Sequence, residues 1–451
     1  MFMANIRFKG SDILVLGAGV TGVATVRYLL SQGLQPVVAD NRSQPPGRTQ
    51  LVELLPAEQL HFGISLERIE LTGFKRIFVS PGLPGNLALF DQARARGIEL
   101  VSDIALFLRQ IDRPLIAVTG TNGKSTVVTM IAHLLRRAGK QVLAGGNLGP
   151  AALDLLQQPV PDYYLLELSS FQLEWIDRLG AEVAVITNIA PDHLDRYDSF
   201  ASYGETKAKL LRGARHVVLS LEDPQLRKMA MKLPADVSVH WFGEGRDSDR
   251  GLTTAAPLLA VPGLAGRHNQ LNGQAALEVL RALGEISQLP DSWAEIWSGF
   301  RPLDHRMVLV GQWRGVDWFD DSKATNVAAT LAAVEGVSLA DDGKIVLILG
   351  GDGKQQDFSP LQRLLPRLRA VVVTGRDGEQ LAQQFVGKVA VSQGVDMDEV
   401  VVQALKLVQP GDCVLLSPAC ASTDQYSGYQ QRGELFGLAV RRIGELPNDG
   451  C

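Results

Sequence analysis

Cysteine is nearly absent from this chain. Cys413, Cys420 and Cys451 are the only ones in 451 residues, an odd number without metal-ligand spacing. That excludes a disulfide-stapled secreted scaffold and fits a reducing compartment. Long basic runs are also missing and the formal net charge is −5, so binding to nucleic acid by phosphate neutralisation has no support. No uninterrupted apolar stretch is long enough to span a bilayer. The opening, MFMANIRFKG, lacks the apolar core of a signal peptide. The expectation is a cytoplasmic protein without membrane insertion, and a monomer. Short-period repeats and low-complexity segments are absent too.

What remains is a chain too long for one ordinary core, with 46% hydrophobic and 21% charged residues, as in soluble enzymes. Short runs rich in Val, Ile and Leu alternate with longer amphipathic stretches. DILVLG, LIAVTG, YYLLELS, EVAVITN, HVVLS, KIVLILGG, AVVVTG and DCVLLSP each have the look of a buried strand entering a loop. Such alternation predicts βαβ units and parallel sheets, with ligands at the edge where the strands end. Breaks near Ser102 and Pro302 divide the chain into 1–102, 103–302 and 303–451. The predicted class is α/β in three domains: an N-terminal Rossmann-like unit, a central P-loop ATPase-like parallel sheet and a C-terminal Rossmann-like unit.

Two glycine loops carry the chemistry. In LGAGVTG, Gly17, Gly19 and Gly22 match G-x-G-x-x-G, and Asp40 ends the next strand. A helix N-terminus there offers amides to a diphosphate, whether NAD or another nucleotide. Asn41 and Arg42 follow within reach of an anionic or sugar group. GTNGKST is the stronger signal. Its amides would hold phosphates, Lys124 would place a cation on the β and γ oxygens, and Ser125 or Thr126 would ligate Mg²⁺. It is not a full Walker A, because Val118 stands at the position of the first glycine. A merely solvated lysine is disfavoured, since a cation at a helix start opposes the dipole unless an anion binds. Two phosphate loops in separate domains imply two phosphorylated ligands. A dehydrogenase needs only the first and a simple ATPase only the second.

Downstream, Glu167 ends a strand, as a Mg²⁺ ligand facing the cradle would. NIAPDHLDRY offers Asp192, His193 and Asp195 in one loop. Asn269 and Asn272 are either helix caps or nucleotide contacts. Lys323, Thr325, Lys354 and Ser422 lie on loops after strands of the last third and make a cationic, hydroxyl-lined edge suited to a small polyanion.

GTNGKST, ELSSFQLE, NIAPDHLDRY, GRHNQLN, DDSKATN, GGDGK and SPACAS, in that order over nearly the whole chain, resemble the Mur ligase family. The resemblance implies an ATP-dependent ligase that adds D-glutamate to UDP-N-acetylmuramoyl-L-alanine through an acyl phosphate, in peptidoglycan precursor synthesis. A family ligase for another amino acid and an NAD-dependent oxidoreductase are the alternatives. It places UDP at Gly19, Val20, Thr21, Asn41 and Arg42, with Asn147 on the muramoyl-peptide part. ATP phosphates fall to Asn122, Gly123 and Lys124, helped by Asn272, Arg306 and Asp321. Ser125 and Glu167 are implied as ligands of one Mg²⁺, and His193 with a carbamate on Lys207 as ligands of a second, with Mn²⁺ as a substitute. D-Glutamate is implied at Thr325, Lys354, Ser422 and Tyr429. Asn41 stands where the family has threonine, and Tyr429 where it has phenylalanine.

Overall fold

The structure is a computed structural model, and it describes Phe8 and residues 11–243, 266–339 and 342–444. Three sheets follow one another along the chain. The first contains β1 (Ile13–Leu16), β2 (Val37–Asp40), β3 (Leu60–Phe62), β4 (Arg76–Val79) and β5 (Glu99–Ser102), ordered β3-β2-β1-β4-β5 and parallel throughout. The second contains β6 (Leu115–Thr119), β7 (Val142–Gly146), β8 (Tyr163–Glu167), β9 (Val183–Ile186), β10 (His216–Ser220) and β11 (Ser238–Phe242). It is ordered β11-β10-β9-β6-β8-β7 and is again all parallel.

The third sheet contains β12 (Val308–Trp313), β13 (Val316–Asp320), β14 (Ile345–Gly350), β15 (Leu368–Thr374), β16 (Ala390–Gln393) and β17 (Cys413–Leu416), ordered β12-β13-β17-β14-β15-β16. It is mixed, because β12 and β13 pair antiparallel. Their two-residue turn, Arg314 and Gly315, has φ of 50° and 76°. Positive φ at both central positions matches the twist of a tight hairpin, and glycine takes the second at no steric cost. All eight apolar runs singled out in the sequence are strands of these sheets.

Alternation along the strands builds the layers. Ile13 and Val15 enter one apolar cluster, Leu14 and Leu16 another. Ile116 and Val118 separate in the same way from Leu115 and Ala117, as do Ile345, Leu347 and Leu349 from Val346 and Ile348. A strand buried on both faces needs helices on both, which is why these runs are continuously hydrophobic. One cluster runs from Val15 of the first sheet to Leu166 of the second, so those two units share a core.

The topology fixes where loops open. β1 lies between β2 and β4, and β6 between β9 and β8. Strand order reverses at both, leaving a crevice where the glycine loops begin. Among the described residues, no helix is long and apolar enough to cross a membrane. Leu347, fully buried in β14, anchors the third core. Leu347→Ala is expected to cost about 2–5 kcal/mol, measured by denaturant unfolding.

Candidate functional site

β6 runs into the loop Gly120–Gly123 and then into the helix Lys124–Arg137. Gly123 is the N-cap at φ 80°. A Cβ there would approach the Asn272 Oδ1 to 2.5 Å, so glycine lets the carboxamide sit against the loop. The loop is braced from the neighbouring strand end. Asn122 N donates to the Asn188 Oδ1 at 2.9 Å, and its carbonyl accepts from the Thr187 hydroxyl at 2.6 Å.

Two lysines converge on the loop. Lys124 Nζ donates to the carbonyls of Gly120 and Thr121 at 3.0 and 2.8 Å. Lys207 Nζ donates to the same Gly120 carbonyl at 2.8 Å, with its ammonium 4.7 Å from the centre of the Tyr203 ring. Lys207 is 1% exposed, four residues after Tyr203 in the helix Phe200–Ala208. Burial lowers the pKa of Lys124, against the pull of Glu167 and Asp192. Burial, with Lys124 beside it, holds Lys207 well below the usual lysine range. Lys209 points away and donates to the Glu174 carbonyl at 2.8 Å.

Facing them is Glu167 at the end of β8. Its Oε1 accepts from Asn147 Nδ2 at 2.7 Å, and its buried Oε2 has no partner among the described residues. An unpaired buried carboxylate oxygen is costly unless a cation completes it. Among the described residues, no three of His, Cys, Asp and Glu gather closely enough to hold a metal. The set available here is instead one carboxylate, the Ser125 hydroxyl and the phosphate oxygens of a ligand.

Asp192 accepts from Lys354 Nζ at 3.0 Å and from Asn326 Nδ2 at 3.3 Å. Burial raises its pKa, and Lys354 and its other cationic neighbours more than reverse this, leaving it lowered. His193 sits edge-on to Phe171, and burial pushes its pKa down to about 4. The imidazole is therefore neutral at physiological pH, with a lone pair to offer. His193, Lys354, Gln355 and Ala419 all hold positive φ. Non-glycine residues in that region carry strain, and these sit on the loops that form the site.

A cavity of about 460 Å³ lies between the second and third sheets, lined by Asn122, Gly123, Thr126, Asn272, Arg306 and Asp321 among others. Arg306 Nε is buried without a partner among the described residues, as a group awaiting an anion would be. A second cavity, about 450 Å³, contains Val20, Thr21, Lys124, Asn147, His193 and Lys207. A third, about 320 Å³, contains Asn41 and Arg42. Gly19 lines none of these three. Asp40 accepts from Ala18 N at 2.7 Å and is gripped by Arg42 Nε and Nη2 at 2.9 and 2.7 Å. An acid so occupied is poorly placed to take the ribose hydroxyl of NAD.

The third sheet supplies the remaining groups. Lys323 Nζ reaches the Ser125 hydroxyl at 3.0 Å and lies over the Tyr429 ring; burial, with Arg306 nearby, lowers its pKa to about 7. The Lys354 and Ser422 loops are tied by the Asp352–Ala421 bridge. Thr325 stands between Lys323 and Asn326 and is half-buried.

The chain matches the models of the Mur ligase MurD-like N-terminal domain over residues 11–102, the Mur ligase middle domain over 118–257 and the Mur ligase glutamate ligase domain over 305–420. A UDP-N-acetylmuramoylalanine--D-glutamate ligase of Nitrosococcus oceani is 42% identical, covering 95% of this chain and 96% of its own. The chain belongs to the Mur ligase family. The ligase of the same name from Pseudomonas putida is 41% identical, covering 95% of this chain and 96% of its own. Among solved structures, the UDP-N-acetylmuramate-alanine ligase MurC of Thermotoga maritima superposes with a TM-score of 0.59 at 18% identity, over 96% of this chain and 99% of that one. MurF ligase of the same organism, in complex with ADP, gives 0.59 at 16% identity, over 97% and 96%. These two support the fold.

Several groups of this Mur ligase had no role in the sequence reading. Asn326 exchanges amide hydrogen bonds with Asn122 at 3.2 and 2.9 Å while its Oδ1 also caps the helix Val327–Gly336. Arg432, 1% exposed, donates to the Ser322 hydroxyl and to the carbonyls of Ser322, Gly350 and Cys420. It thereby ties together the loops that carry Lys323, Lys354 and Ser422. Its signal was available: Arg432, Phe436 and Val440 share one helical stripe, and a charge on an apolar stripe needs buried acceptors.

Asp321 accepts from the Ser417 hydroxyl at 2.9 Å, and burial raises its pKa to about 7. Its folded pKa lies above its unfolded one, so the folded state holds the proton more tightly. Stability is lost as pH rises from the unfolded value, about 4, through about 7. Asp321→Asn should remove this term: relative to wild type, the variant gains stability between pH 5 and 8 in denaturant unfolding.

Proposed function

We propose that this chain adds D-glutamate to UDP-N-acetylmuramoyl-L-alanine with ATP, in the cytoplasm, as a monomer and as a step of peptidoglycan precursor synthesis. The observation that carries the reading is the position of the phosphate loop. Asn122, Gly123 and Thr126 face the largest of the three cavities, and Lys124 faces the second. A γ-phosphoryl group at the loop would thus meet a carboxylate arriving from the other side. The name and identity of the relatives support the same choice.

In this reading residues 1–102 hold UDP, 103–302 hold ATP and 303–451 bring the amino acid. UDP lies along Gly19, Val20, Thr21, Asn41 and Arg42, and Asn147 meets the peptide end. Asn272, Arg306 and Asp321 complete the ATP pocket. Thr325, Lys354, Ser422 and Tyr429 receive D-glutamate, whose carboxylate competes with Asp192 for Lys354.

A carboxylate resists both phosphate and amines, so it must be activated. The L-alanyl carboxylate attacks the γ-phosphorus, ADP leaves and an acyl phosphate forms. The neutral amine of D-glutamate then attacks the acyl carbon, phosphate leaves and the nitrogen loses a proton. Lys124 offsets the repulsion between carboxylate and triphosphate. His193, neutral at the site, is available to accept a proton or to act as a ligand. Closure of the third unit, through Lys323 and Asn326, keeps water from the acyl phosphate.

The donor set fits divalent ions. Ser125 and the open Oε2 of Glu167 would hold one Mg²⁺ or Mn²⁺, and His193 with Lys207 a second. When bound, such ions neutralise phosphate charge. Lys207 fits only when modified, since an ammonium repels a cation. Its burial favours the neutral amine, whose nitrogen adds to carbon dioxide, loses a proton and becomes an anionic carbamate with two oxygens.

Phosphate release from ATP with UDP-N-acetylmuramoyl-L-alanine tests the assignment. D-Glutamate should support turnover, with D-alanine and L-glutamate slower by about a hundredfold or more. Equal rates with D-alanine would reject it.

Lys207→Ala should be inactive and partly restored by small carboxylic acids, while Lys209→Ala stays near wild type. A fully active Lys207→Ala enzyme, in the same assay, would remove Lys207 from the site.

A further inference from the structure

Arg196 belongs to the central unit, three residues after His193, yet its guanidinium is spent on the first unit. Nη1 donates to the Gly82 carbonyl at 2.9 Å, and Nη2 to those of Pro81 and Leu83 at 3.2 and 3.0 Å. The opposite edge is held by Glu174, with Nε to Oε1 at 3.0 Å and Nη2 to Oε2 at 2.6 Å. Its face lies 4.1 Å from the centre of the Phe171 ring, which packs edge-on to His193. The side chain is 14% exposed.

Those carbonyls belong to the segment 80–84 that follows β4. Gly82 lines both the cavity with Asn41 and Arg42 and the cavity with Lys124 and Lys207. The segment is thus a wall that the two cavities share. Its near end is fixed by the Ser80 hydroxyl on the Gly17 carbonyl at 3.1 Å. Its far end is fixed from the other unit by Arg196.

We infer that Arg196 is a positioning residue for the nucleotide sugar: it sets the wall between the diphosphate cavity and the reacting end. The planar fork matters as well as the charge, because five donors in a fixed plane reach the carbonyls and Glu174 together. A lysine keeps the charge and loses that geometry. The inference rests on the ligase reading for its substrate. ATP binds on the other side of the phosphate loop and should be indifferent to the wall.

The test is a split of constants in the full-length enzyme. Arg196→Lys and Arg196→Gln should raise KM for the nucleotide sugar about ten- to a hundredfold and leave KM for ATP within about twofold. Glu174→Gln, which frees the guanidinium without removing it, should act in the same direction more weakly, and it serves if the arginine variants do not fold. Calorimetric binding of UDP alone should weaken in parallel. Equal rises in both KM values, or no change in either with unchanged UDP affinity, would overturn the inference. If the wild type binds UDP but forms no amide, the ligase reading fails alone, and the UDP affinity ratio of Arg196→Lys to wild type still decides the role of Arg196.

Discussion

Two lysines share one carbonyl. Lys124, half-buried, and Lys207, buried, both donate to Gly120 O, at the wall of the second cavity. Such an arrangement persists only if one amine gives up its charge or if anions crowd in. Glu167 and Asp192 supply part of the compensation, and the third sheet then adds Lys323, Lys354 and Arg306. The result is a centre short of negative charge, and a triphosphate or a carbamate is the kind of group that completes it. The loop permits this because Gly120, at φ 149°, packs where a Cβ would strike Thr187.

Around that centre the three sheets supply different things. The first offers amides and Arg42, the second the phosphate loop and carboxylates, the third cations on short loops. None of the three cavities is built by one sheet alone except that beside Asp40. The site is therefore a property of how the units meet. The side chains at the seams, Arg27 with Asp154 and Arg196 with the 81–83 carbonyls, belong to its construction.

Much of the fold was legible because parallel strands buried on both faces leave an unmistakable pattern, and glycine loops mark where they end. The strands β12 and β13 were legible but their antiparallel pairing was not, since nothing in a strand's own residues fixes its neighbour's direction and the turn, Arg314–Gly315, is short. Lys124 and Glu167 were singled out from their motifs and Lys207 from the family resemblance, and the structure brings the three side chains to one loop. Asn326 was not, because an asparagine before a helix already has an adequate explanation as a cap, and only the three-dimensional meeting with Asn122 adds a second. Arg196 was hidden for a related reason: its partners are backbone carbonyls more than a hundred residues away, and a carbonyl has no identity in a sequence.

The reciprocal pair of Asn122 and Asn326 differs in kind from the ion pair of Lys354 and Asp192 beside it. Two carboxamides carry no net charge and do not titrate, so neither acidity nor ionic strength alters their attraction. Each of their hydrogen bonds trades for one to water at a net difference of about 1 kcal/mol. The third unit is thereby latched to the phosphate loop by a contact that is weak, directional and constant, indifferent to the large swings in charge as a triphosphate arrives and its pieces depart.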